Sequence, residues 1–148
     1  VPRFFLTPSA IEKRPPLKPS AQRARWVGCN IVLGALPADA RVVAVRNEVA
    51  LPPANVREAW RRFAFLRQED VRSRGWLSDV LACVRSLKKD VFALDEMYSC
   101  EDRLSRLHPD NRNVRPKIRQ QLQVLRDRGV VEFLGGGRYR VLLMPQTG

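Results

Sequence analysis

The 148-residue sequence predicts an α+β fold: three helices and a β-hairpin in the C-terminal half, preceded by short strands and a single helix. Three observations predict it. Apolar residues recur at helical spacing from Trp76 to Leu125, and after Gly129 the period changes to alternation. The first 50 residues, in contrast, hold short apolar runs between prolines, with no helix to cover them. The change of pattern divides the chain into units 1–69 and 70–148.

Arg3 to Leu6 is expected to be a strand. Pro2, Pro8, Pro15, Pro16 and Pro19 then forbid helix over most of the next stretch, which reads as a loop laid over other structure. Trp26 to Leu33, WVGCNIVL, is apolar enough for a buried strand, and Arg41 to Arg46 reads as another. Residues 53–66 form one helix, with Pro53 near its start and Trp60, Phe63 and Leu66 facing a core. So few strands without cover make a poor domain, so this half is expected to be the trailing part of a larger sheet. Val1 in place of an initiating Met agrees with a truncated chain, or with an alternative start codon.

From residue 71 the helical period returns. Trp76, Leu77, Val80, Leu81, Val84 and Leu87 form a wide apolar stripe over 74–87. Asp95 and Glu96 suit the first turn of a second helix that buries Met97, Tyr98 and Leu104, although Ala93 ahead of it is a poor N-cap. The third helix places Val114, Ile118, Leu122 and Leu125 on one face. Pro116 is tolerated in its first turn, Asn113 is a suitable N-cap, and Gly129 after Arg126 and Arg128 supplies the stop. Val131 and Phe133, a reversal at Gly135 to Gly137, and then Tyr139, Val141 and Leu143 make a two-stranded ribbon.

Helix, helix, helix, strand, strand is the order of a winged helix. Its third helix fits a major groove and its hairpin reaches phosphate or a minor groove. The candidate DNA contacts are Asn113, Arg115, Lys117, Arg119, Gln120 and Gln123 on the helix, and Arg138, Tyr139 and Arg140 on the wing. Arg can grip guanine with two bonds and Gln can grip adenine, which suits base reading. Arg115 lies beside the apolar stripe and suits a phosphate as well. At the wing tip, Gly136 stands where a cation is expected.

Charge supports a polyanionic partner. Lys plus Arg number 27 against 15 Asp plus Glu, a net +12 concentrated towards the two ends of the chain. No apolar run approaches the length of a spanning helix and nothing resembles a signal peptide, so a soluble cytoplasmic monomer is expected. Cys29, Cys83 and Cys100 are far apart and never form C-x-x-C, which fits neither a disulfide framework nor a zinc knuckle. His108, the single histidine, sits beside Pro109 and Asp110 and reads as an exposed loop residue. No catalytic or metal-binding set is assigned.

The strings KIRQQLQVLRDRGVVEFLGGGRYR from Lys117, RPPLKPSAQRARWVGCNI at 14–31 and FLRQEDVRSRGW at 65–76 resemble the DpnI-like, Dam-replacing family. These are type II restriction endonucleases that cut GATC sites whose adenine is N6-methylated. The resemblance implies a prokaryotic enzyme with an N-terminal nuclease of the PD-(D/E)xK type, using catalytic Mg²⁺ and a structural Zn²⁺, followed by the winged helix. It implies that residues 1–69 are the end of that nuclease, whose catalytic half is missing here and would be a partner. It also implies that Leu17 and Trp26 help sense the adenine methyl groups, and apolar contact is how a methyl in the groove is read. The residues two before Lys13, Lys18, Lys88, Lys89 and Lys117 are Ile11, Pro16, Ser86, Leu87 and Arg115, so no acid-x-Lys exists to hold metal and water. The expected function is binding of double-stranded methylated GATC without cutting. The alternative is a winged-helix transcriptional regulator, which explains residues 70–144 equally well and leaves 1–50 without a role.

Overall fold

The computed structural model describes residues 1–142. Leu143, expected to extend the alternation of Tyr139 and Val141, lies outside them. The chain runs through β1 (Ile11–Lys13), β2 (Cys29–Ile31), β3 (Val45–Arg46), β4 (Val49–Ala50), α1 (Pro53–Arg61) and α2 (Val71–Ser86). It continues through β5 (Val91–Ala93), α3 (Leu94–Met97), α4 (Glu101–Leu107), α5 (Val114–Asp127), β6 (Val131–Gly135) and β7 (Arg138–Val141). Helix and sheet are mixed, as the α+β expectation requires.

The N-terminal segment departs from its expected strands. Arg3–Phe5 is a 3-10 turn, because Phe4 and Phe5 are both buried and a strand would turn one of the two outwards. Only Cys29–Ile31 of the expected Trp26–Leu33 strand pairs, with Ile11–Lys13, and every residue of that ribbon is exposed. Apolar composition therefore does not mark a buried strand here. The Arg41–Arg46 strand shrinks to β3, which turns back into β4 through Asn47 and Glu48, both at positive φ. After α1 the chain tightens to a 3-10 helix, Ala64–Gln68. Phe63 and Leu66 are buried as expected, whereas Trp60 stays 37% exposed with its ring edge-on to Phe4 at 5.6 Å.

The C-terminal half keeps the expected order with one addition. Helix α2 starts at Val71, three residues before the expected 74, because the Asp70 carboxylate accepts hydrogen bonds from the backbone N–H groups of Arg72 and Ser73 at 2.8 and 3.0 Å. The Ser73 bond above all holds the Asp70 carboxyl below its ordinary value of 3.8. A depressed folded-state pKa stabilises above the ordinary value and loses that effect as pH falls through the lower one. Asp70→Ala should therefore lower the melting temperature at pH 7, with the difference from the parent shrinking below pH 3.8. A difference that persists unchanged in acid would contradict this account of the cap.

The expected second helix is broken into α3, a 3-10 turn at Tyr98–Cys100, and α4. Ala93 offers no side-chain acceptor at its start, and Glu96 compensates by accepting from the Ala93 N–H at 2.8 Å. The addition is β5, which joins β7 and β6 in a three-stranded sheet of order β5-β7-β6. At only three residues it has no legible period, and its partner lies over 40 positions downstream. Between β6 and β7, Gly136 and Gly137 have φ of 57° and 71°, the two-residue turn whose twist matches a hairpin. That conformation explains why Gly136 stands where a cation is expected.

One hydrophobic cluster joins the two halves. It runs from Phe4, Phe5, Phe63 and Leu66 to Trp76, Val80, Leu104, Ile118, Leu122 and Leu125. Two polar ties reinforce it. Arg85 of α2 donates from Nε and Nη2 to the two carboxylate oxygens of Asp39, both at 2.7 Å. Asp79, 1% exposed, accepts from Ser9 Oγ at 2.8 Å and bonds His108 Nε2 at 2.8 Å. His108 is thus a packed residue, its ring stacked on Trp76 at 4.0 Å, because the Asp79 carboxylate draws it in from the loop.

Candidate nucleic-acid interface

Helix α5 owes its position to its buried stripe. Ile118, Leu122 and Leu125 are fully buried and Val114 nearly so, and each such side chain contributes about 1.5 to 3 kcal/mol of hydrophobic stabilisation. Locking that face into the core fixes the opposite one outwards. Arg115, Arg119, Gln120 and Gln123 are exposed on α5, with Lys117 half-buried beside them. Asn113 occupies the cap position, but its side chain makes no cap bond. Instead Asn111 Oδ1 accepts from the Asn113 N–H at 2.7 Å and tightens the entry turn. The N-terminus of α5 opens on a concavity of about 480 Å³ lined by Asp110, Asn111, Arg112, Asn113, Pro116, Lys117 and Gln120. Arg112 is a member that helical periodicity does not single out, since it precedes the helix.

The exposed arginines are held by their own protein. Arg115 Nε donates to Glu101 Oε2 at 2.7 Å, and its guanidinium lies 4.8 Å from the centre of the Tyr98 ring. The Glu101 hydrogen bond, then its charge, holds the Arg115 proton more firmly than usual. Arg119 Nε donates to Tyr98 Oη at 2.7 Å, and Lys117 Nζ donates to Gln120 Oε1 at 2.7 Å. Tyr98 and Glu101 are participants that the sequence reading missed. No motif marks them, because they lie on a broken helix beside α5 and meet it only after folding.

On the hairpin, Arg138 and Arg140 are exposed and Arg140 Nη1 donates to Glu132 Oε2 at 3.1 Å. Tyr139, expected beside them on the DNA-facing side, is 8% exposed and stacks on Phe92 of β5 at 5.6 Å. The alternation of the strand turns its ring to the core, leaving the two arginines to carry the charge of the hairpin. Leu17 and Trp26 come together on the irregular arm beyond β1 and β2, where the Leu17 N–H donates to the Trp26 carbonyl at 2.9 Å. Both side chains face solvent, 42% and 53% exposed. They belong to a different element from the α5 face.

The donor set fits neither ion that the resemblance implies. Among the described residues, no three His, Cys, Asp or Glu side chains converge on a metal position. Cys83 and Cys100 are both buried in the core, where the influence of each thiol on the other raises Cys83 and lowers Cys100, while Cys29 is exposed. Among the same residues, no helix is long and apolar enough to cross a membrane.

Comparison with known families covers nearly the whole described chain. Residues 72–141 match the model of the Dam-replacing HTH domain, and residues 1–69 match that of the Dam-replacing family.

Proposed function

Because the chain belongs to the Dam-replacing family, a DNA-binding group related to restriction enzymes, we propose that it binds N6-adenine-methylated GATC as the DNA-reading part of a methyl-directed type II restriction endonuclease. The observation that carries this reading is the joint exposure of Arg115, Arg119, Gln120 and Gln123 on α5 and of Arg138 and Arg140 on the following hairpin, in a chain of net charge +12. In it, residues 70–148 are a winged helix with α5 in the major groove and the hairpin as its wing. Residues 1–69 are the end of a nuclease domain. Its catalytic half packs on the exposed apolar residues Ile11, Val27, Ile31, Val32 and Leu33. Leu17 and Trp26 sense methyl groups only in that complete assembly, which acts as a monomer in a prokaryotic cytoplasm. Mg²⁺ and Zn²⁺ belong to the other half, so this chain by itself binds without cutting.

The lack of any acid-x-Lys equally suits a transcriptional regulator, and methyl preference separates the two. Covering one methyl is worth about 0.8 kcal/mol, so a hemimethylated site should be preferred roughly fourfold and the two methyls of a fully methylated palindromic site roughly tenfold or somewhat more. Competition binding with methylated, hemimethylated and unmethylated GATC duplexes tests this, run beside a cleavage assay with Mg²⁺. Equal affinity for all three favours the regulator. Metal-dependent cutting by this chain overturns the claim that it lacks a catalytic centre.

A further inference from the structure

We infer that Tyr98 is a positioning residue for base reading, holding Arg115 and Arg119 so that the terminal nitrogens of both guanidinium groups are presented outwards. This rests on the reading of α5 as the helix in the groove. The geometry is specific. Arg119 spends its inner nitrogen, Nε, on the Tyr98 hydroxyl at 2.7 Å, and Arg115 spends its Nε on Glu101 at 2.7 Å while lying over the Tyr98 ring. In each case the paired terminal nitrogens are the atoms that can grip the O6 and N7 of a guanine. An unrestrained arginine loses much rotamer freedom on forming such a grip, and a pre-set one loses less. Tyr98 can serve as a fixed post because its ring packs against the core cluster and it sits in the short turn between α3 and α4. Its hydroxyl reaches α5 across 21 positions of sequence.

Tyr98→Phe is the direct test, since it keeps the ring over Arg115 and removes only the acceptor for Arg119. With the full chain and methylated GATC against a scrambled duplex, the preference should fall roughly threefold to tenfold, about the net contribution of one hydrogen bond. The salt dependence should not change, because no cation is lost. In an Arg119→Ala background, Tyr98→Phe should have no further effect on preference. NMR of the free protein supplies a readout independent of DNA: the Arg119 Nε–H resonance should be slow to exchange with water in the parent and fast in Tyr98→Phe, with the melting temperature nearly unchanged.

Several results would overturn the proposal. One is equal weakening on both duplexes. Another is a full effect of Tyr98→Phe when Arg119 is already Ala. A third is an Nε–H that exchanges fast in the parent. A parent chain without preference for GATC would sink the groove reading itself, and the proposal with it. Preference that depends on Arg119 but not on Tyr98 would remove the proposal alone.

Discussion

Asp39→Ala should destabilise the folded chain by about 3 to 5 kcal/mol, the range for taking one partner from a buried ion pair. The Asp39 and Arg85 side chains are 1% and 9% exposed, and the carboxylate receives two parallel bonds from the guanidinium at 2.7 Å. Such a fork is strong because both donors meet both acceptors in one plane. Removing the carboxylate takes two short bonds from the guanidinium in a site that water barely reaches, and the tie between the N-terminal turn at Ala38–Ala40 and the last turn of α2 is lost. Urea denaturation measures it, as a lower midpoint at unchanged slope. Replacing both partners with apolar residues of similar volume should recover most of the loss, since the desolvation of both charges then disappears. A midpoint within experimental error of the parent for Asp39→Ala would show that the pair contributes little.

Affinity for duplex DNA should fall about a hundredfold between 50 and 200 mM salt if Arg112, Lys117, Arg138 and Arg140 each neutralise one phosphate, since each such contact releases most of one counterion. These four are chosen because Arg115 and Arg119 are committed to Tyr98 and Glu101 and suit base edges better. Arg138→Ala should weaken binding to every sequence alike and reduce the slope of log affinity against log salt by about 0.9. Arg140→Ala should do the same less cleanly, because Glu132 is left next to the DNA without its partner. Titrations at several salt concentrations decide it. Affinity indifferent to salt would mean that the basic face is not a phosphate-binding surface.

The sequence made the long periodic elements legible and the short ones not. Helices α2 and α5 are readable because an apolar stripe must repeat over several turns to cover a core, and Ile118, Leu122 and Leu125 repeat on α5. The hairpin is readable from alternation around Gly135 to Gly137. Strand β5 is too short to show any alternation and exists because β7 supplies its hydrogen-bond partners. Apolarity misleads over Trp26–Leu33, where Val27, Ile31 and Val32 look like core and are exposed. Burial depends on what packs against a segment, and composition does not carry that information. Much the same holds for the site: exposure of Arg119 follows from helical spacing, whereas its bond to Tyr98 depends on how α3 and α4 are broken and turned.

The Asp79 node bears on the order in which the chain is expected to fold. Its bond to His108 spans 29 positions and its bond to Ser9 spans 70. Closing the longer loop loses more chain entropy, and contacts of high sequence separation form after local ones have made the closure worthwhile. Helices α2, α4 and α5 with their hairpin are therefore expected to assemble before the N-terminal segment docks onto α2, and Ser9→Ala should then raise the unfolding rate while leaving the folding rate nearly unchanged. Bonds absent from the folding transition state act chiefly on the rate of escape from the native state. Ser9 should thus have little influence on how fast α5 takes shape, and a larger one on how long the finished fold lasts.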